Sequence, residues 1–125
     1  MVGLVVVSHS ERAAEGIREI AAEMAGDTQI EAVGGDGDGG IGTNATDIQE
    51  TIDSISDGEA AVLVDLGSAV MNAELAIEMS DNDAKIADAP VLEGAVNAAV
   101  SATSPKATLD SVLEAAEEAG EISKV

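Results

Sequence analysis

Residues 1–25 read MVGLVVVSHSERAAEGIREIAAEMA and hold two textures side by side. Residues 2–7 are a short, nearly continuous apolar run, as expected of a strand buried on both faces. Residues 11–25 are rich in Ala and Glu, with Ala13, Ala14, Ile17, Ile20, Ala21 and Met24 on one helical face. Ser8 followed by Glu11 is a capping-box pattern and marks the helix start. The same alternation continues down the chain. It predicts strands over 29–33, 60–65 and 85–89, and helices over 47–55, 69–79, 92–103 and 109–119. Thr43 or Asn44 caps the second helix, and Pro90 ends the fourth strand.

Strand–helix alternation with apolar strands predicts an α/β fold: a doubly wound, mainly parallel sheet with helices on both faces. The expected strand order is 2-1-3-4, in a single domain over residues 1–125. With right-handed crossovers, strands one and three lie side by side and their helices leave on opposite faces. Ligands bind in such a crevice, beyond the carboxyl ends of the strands. Ser8, His9 and Ser10 should therefore face Asp65, Gly67 and Ser68.

Composition removes several function classes. Five basic residues against 25 acidic ones give a net charge of −20, which excludes nucleic-acid binding through a basic surface. The absence of Cys excludes a disulfide scaffold, a Cys-based zinc site and a catalytic thiol. There are no aromatic residues to stack on bases or sugars. Disorder is the usual meaning of acidity without aromatics, but 46% apolar residues and a mean hydropathy of +0.18 supply a core. The apolar start lacks a basic flank and reads as a strand rather than a signal peptide. No stretch approaches the roughly 20 apolar residues of a membrane span. The charge is spread along the chain, and molar salt would screen its self-repulsion. It points to a cytoplasmic protein of a salt-accumulating halophile.

His9 is the only histidine. A free imidazole is largely neutral and nucleophilic at neutral pH. The N–H groups of a helix N-terminus favour a phosphoryl group there, and the Ser8 and Ser10 hydroxyls can donate to its oxygens. Asp65 can accept from one ring nitrogen and so free the other to attack. Thr43 offers a hydroxyl at the second helix start. Arg12, three residues after His9, can lean toward a phosphate or pair with Glu15. The 34–42 loop, GGDGDGGIG, is not a P-loop, since no Gly-Lys-Ser/Thr follows. It also fails as an EF-hand, with Gly40 at a ligand position and Ile41 at the glycine position. It reads as a flexible acidic loop near the site. Residues 1–10 and 66–73 carry no charged side chain, and this gap is where a phosphate is most easily accepted. A receiver-like module phosphorylated on Asp65 would need metal-holding acids after strand one, where Ser-His-Ser stands. A Ser–His–Asp hydrolase would need a Gly-x-Ser-x-Gly elbow, which is missing.

Residues 5–10, VVVSHS, are followed by Glu15-Gly16, Ile41-Gly42-Thr43, Val64-Asp65-Leu66-Gly67-Ser68-Ala69, Ala73-Glu74 and Ala89-Pro90-Val91-Leu92-Glu93-Gly94. In this order and spacing, the chain resembles the DhaM family. These are the phosphocarrier subunits of phosphoenolpyruvate-dependent dihydroxyacetone kinases, and they are similar to mannose-type enzyme IIA. The resemblance implies that His9 is the phosphorylated histidine and that the fold is mannose-type enzyme IIA-like, with room for an extra antiparallel edge strand. It implies a homodimer that takes a phosphoryl group from HPr and passes it to ADP on DhaL, for use by DhaK on dihydroxyacetone. Magnesium and nucleotide would belong to DhaL, and the chain itself would need no cofactor or metal. An enzyme IIA of a mannose-type sugar transporter, delivering to an enzyme IIB, is the alternative. Leu66, Val70, Met71 and Val91 are expected as exposed apolar docking residues around the crevice.

Overall fold

The computed structural model describes residues 1–56 and 58–125. Four parallel strands form one sheet: β1 (Gly3–Ser8), β2 (Ile30–Gly34), β3 (Glu59–Val64) and β4 (Asp83–Ile86). Their order is β2-β1-β3-β4, as the alternation predicts. β1 is central and buried throughout, which is why its sequence is apolar up to its last residue, Ser8. Its register sets Val7 against Val33 on one side and Val64 on the other. The three strands therefore end together. No strand beyond these four occurs among the described residues.

The helices are α1 (Glu11–Ala22), α2 (Ala45–Asp53), α3 (Val70–Met79), α4 (Val91–Ala102) and α5 (Leu109–Glu118), with a single 3-10 turn over Gly67–Ala69 leading into α3. Leu4 and Val6 of β1 point to the face covered by α1, α4 and α5; Val5 and Val7 point to the face covered by α2 and α3. Successive side chains of a strand take opposite faces, so one short run anchors both halves of the core. Much of the remaining core is alanine, which lets the helices lie close to the sheet.

Three expectations are corrected. The face of α1 is shifted: Ala14, Ala21 and Ala25 are buried with Ile17 beside them, whereas Ala13, Ile20 and Met24 are exposed. Small residues occupy the inner positions because the helix lies close against the sheet. The cap of α1 is Ser10, whose hydroxyl accepts from Ala13 N–H at 3.2 Å; Ser8 is the last residue of β1. The 34–42 loop is tied down rather than loose. Asp36 Oδ1 accepts from the N–H groups of Asp38 and Gly40 at 2.8 and 2.9 Å. The loop is also fastened to β1 and the turn after it, where Gly35 and Gly42 N–H donate to the carbonyls of Ser8 and His9 at 3.3 and 2.9 Å.

Candidate functional site

The common end of β1 and β3 brings His9 and Asp65 together. Each stands one residue beyond its strand, and the Asp65 N–H donates to the Val7 carbonyl at 3.1 Å, which continues the ladder. Asp65 Oδ1 lies 2.9 Å from His9 Nδ1. Its Oδ2 accepts from the His9 N–H at 3.0 Å and from the Ser8 hydroxyl at 2.9 Å. One carboxylate thus holds the backbone, the ring and the preceding side chain. Ser8 Oγ in turn accepts from Ser10 N–H at 3.1 Å, which fixes the turn on which His9 sits.

Partial burial pushes the Asp65 carboxyl up, but the bonds from the His9 N–H, the His9 ring and the Ser8 hydroxyl outweigh it. The net shift is downward from the ordinary carboxyl range. The ionised carboxylate only accepts, so the ring nitrogen facing it carries the proton. Nε2 is then the nitrogen with a lone pair. Ser68 Oγ is 2.8 Å from Nε2 and donates to it when the ring is neutral. The imidazole is therefore held at both nitrogens in one tautomer.

The structure places Ser8, His9, Ser10, Asp65 and Ser68 in one connected constellation. Gly67 opens the 3-10 turn that aims Ser68 back at the ring. Thr43 belongs to the rim: it follows Gly42, whose N–H holds the His9 carbonyl. Asn72, in the first turn of α3, donates from Nδ2 to Thr43 Oγ1 at 2.8 Å. The sequence reading missed Asn72, because its partner lies 29 residues away and no local pattern marks such a bond. Gly34 was not singled out either. A Cβ there would stand 2.6 Å from the Ser10 carbonyl oxygen and 2.8 Å from that of Ser8. Only glycine lets the end of β2 come this close to the turn carrying His9.

Arg12 does not pair with Glu15, which is taken by Arg18. Arg12 has no ion pair among the described residues. It lines an open groove of about 1,010 Å³ between α1, α2 and the free edge of β2. Of the four apolar rim residues, Leu66 and Met71 are exposed, whereas Val70 and Val91 are half-buried. Among the described residues, no group of three or more His, Asp or Glu is placed to hold a metal ion, and no helix is long and apolar enough to cross a membrane.

Comparison with known proteins gives the family and the fold. A family model described as the PTS system fructose IIA component (EIIA-man) matches residues 3–113. The phosphoryl donor subunit DhaM of PEP-dependent dihydroxyacetone kinase 2 from Listeria innocua is 43% identical over 80% of this chain and 85% of its own length. The corresponding subunit from Providencia stuartii is 39% identical over 95% of this chain but only 27% of its own length. Among solved structures, the protein EF1359, of unknown function, aligns with a TM-score of 0.77 at 34% identity, covering 93% of this chain and 92% of that one. A phosphotransferase system component EIIA from Streptococcus agalactiae aligns with a TM-score of 0.63 at 21% identity over 94% of each chain, which supports the fold. The chain belongs to the EIIA-man family of phosphotransferase components, and within it to the DhaM phosphoryl donor subunits.

Proposed function

We propose that this chain is the phosphoryl donor subunit of a phosphoenolpyruvate-dependent dihydroxyacetone kinase and carries the phosphoryl group on His9 Nε2. The observation that carries this reading is the doubly held imidazole: Nδ1 bound to Asp65 at 2.9 Å, Nε2 facing the crevice and met by Ser68 at 2.8 Å. The lone pair of Nε2 attacks the phosphorus of an incoming phosphohistidine on HPr. The new N–P bond forms as the donor's N–P bond breaks, and the donor nitrogen keeps that electron pair. Nδ1 keeps its proton, and Asp65 offsets the positive charge the ring acquires. Ser68 gives up its bond to Nε2 and turns its hydroxyl to a phosphoryl oxygen. Ser8 and Ser10 hold the turn, and the Gly67 turn carries Ser68. The protein contributes positioning and preorganised donors. His-to-His transfer requires no metal.

The recipient is ADP held by DhaL, with magnesium supplied alongside the nucleotide, and DhaK uses the product on dihydroxyacetone. The curated relatives' names, at 36–43% identity, support this branch. The chain works as a cytoplasmic homodimer. Its net charge of −20 suits a salt-accumulating halophile, in which docking relies on apolar contact around Leu66 and Met71. Arg12, left without an ion pair, is available to an anionic group on the partner.

Incubation with labelled phosphoenolpyruvate, enzyme I and HPr in high salt tests the site. Acid-labile, base-stable label on the wild type and none on His9→Ala is expected; label that survives His9→Ala removes the assignment. The family model also describes sugar-transport components, so delivery to an enzyme IIB is the second reading. Transfer to ADP on purified DhaL, measured directly, decides between them.

A further inference from the structure

We infer that Asn72 is a positioning residue for phosphoryl transfer: its side-chain amide fixes the Thr43 hydroxyl as a hydrogen-bond donor at the rim of the His9 site. The inference rests on the phosphohistidine reading above.

Asn72 is half-buried in the first turn of α3. Its Nδ2 lies 2.8 Å from Thr43 Oγ1 and 3.3 Å from the Thr43 carbonyl oxygen. A carbonyl only accepts, so the group facing Thr43 is the NH2 end of the amide. That fixes the sense of the shorter contact as well: Thr43 Oγ1 accepts from Asn72. The Thr43 hydroxyl proton is then unspent, and it has no acceptor among the described residues.

The place of this proton gives it a use. Thr43 stands between Gly42, which holds the His9 carbonyl at 2.9 Å, and Asn44, whose side chain caps α2. Thr43 thus comes to the rim from the β2 side, whereas Ser68 comes from the β3 side. Asn72 joins the two sides and closes a circuit that runs from His9 through Gly42, Thr43, α3 and Ser68 back to His9 Nε2. A phosphoryl group on Nε2 displaces the Ser68 hydroxyl and brings three acceptor oxygens. Ser68 satisfies one of them. The Thr43 hydroxyl, already barred from donating to Asn72, is a side-chain donor on the other side, alongside Ser10, whose hydroxyl only accepts from Ala13 N–H. If Asn72 were lost, the hydroxyl would turn freely and the orientation would have to be re-established in each transfer.

The full-length chain is compared as wild type, Asn72→Ala, Thr43→Val, Thr43→Ser and the double variant Asn72→Ala/Thr43→Val. The readouts are single-turnover phosphorylation by phospho-HPr, the lifetime of the phosphohistidine, its phosphorus-31 chemical shift, and thermal unfolding. Asn72→Ala and Thr43→Val should each slow transfer about tenfold, the scale of one hydrogen bond to a charged group. Both should move the phosphorus-31 shift in the same direction and leave the unfolding midpoint near that of the wild type. Thr43→Ser should restore the rate, and the double variant should be no slower than Thr43→Val. Multiplying losses in the double variant would overturn the inference, as would wild-type transfer in Asn72→Ala or an unchanged phosphorus-31 shift. A wild type that takes no label overturns the phosphohistidine reading itself; a wild type that takes label while the Asn72 variant matches it overturns only the role of Asn72.

Discussion

Helices α3 and α4 are both rich in apolar residues, yet they meet different fates. α4 is pressed against β1 and β3 and flanked by α1 and α5, and Gly94, Ala95, Ala98, Ala99 and Ala102 are buried. α3 buries only one stripe, Ala73 and Ala76, following Ala69 of the preceding turn. Its other face leaves Met71, Leu75 and Met79 at 82%, 47% and 42% exposure, with Leu66 at 56% just before it. Apolar surface of this extent is normally covered. What differs is the number of helical neighbours: α4 has α1 on one side and α5 on the other, whereas α3 packs beside α2. α3 is also the helix that begins beside Ser68. Under the proposed function, this outer surface would be contact area for the phosphoryl donor, with flexible Met side chains suited to adaptable contact.

This contrast can be broken by substitution. The largest effect is expected in α4, where Ala98→Leu over-packs a filled layer and should cost about 1–3 kcal/mol of stability in chemical denaturation. Ala98→Leu as stable as the wild type would show that α4 is less tightly enclosed than its burial implies. Next comes the combined change Leu66→Ser and Met71→Ser. It should raise KM for phospho-HPr about tenfold, or about 1.4 kcal/mol, with kcat and the denaturation midpoint little changed. If KM stays put while stability falls, these side chains serve the fold and not the partner. Leu75→Ser with Met79→Ser lies farther from His9 and should raise KM only about threefold by the same scale. An effect equal to that of the first pair would extend the contact along the whole helix.

The smallest effect separates the site from the packing. The Asp65 carboxyl is held below its unfolded value, so the stability it contributes is present above the ordinary carboxyl range. It is lost as the pH falls through the folded value. Denaturation of Asp65→Asn, followed from neutral pH to about pH 3, should show a flatter pH dependence than the wild type. Parallel curves would mean that the His9 and Ser8 bonds contribute nothing to stability.

The sheet order and the site were legible for one reason. Parallel strands buried on both faces write themselves as apolar runs, and the polar residues just after 2–7 and 60–64 stand out against them. His9, Asp65 and Ser68 were found in that way. The face of α1 was drawn too wide: Ala14, Ile17 and Ala21 were placed correctly, but the stripe was extended to Ala13, Ile20 and Met24. Ile20 and Met24 are long and exposed, whereas Ala14 and Ala21 fit where the helix lies against the sheet. The cap was misplaced by two residues because β1 runs one residue further than its apolar run, and Ser8 spends its hydroxyl on Asp65. The order in the 34–42 loop escaped notice because its glycines suggested freedom, while the Asp36 side chain supplies a local template for the turn. Asn72 and Gly34 were invisible for a different cause: each matters through a neighbour far away in sequence.

The separation of His9 from Asp65 by 56 residues also has a consequence for how this protein becomes active. The central strand of the sheet is the first in the chain, and it cannot pair with β3 until the intervening β2 and α2 segments have been looped out. Long-range parallel pairings of this kind form late and slowly. No short fragment contains His9 with its ring held by Asp65, and a chain caught midway in folding holds His9 without its carboxylate. The Asp65-bound imidazole is therefore a kinetic marker of the completed β1–β3 crossover.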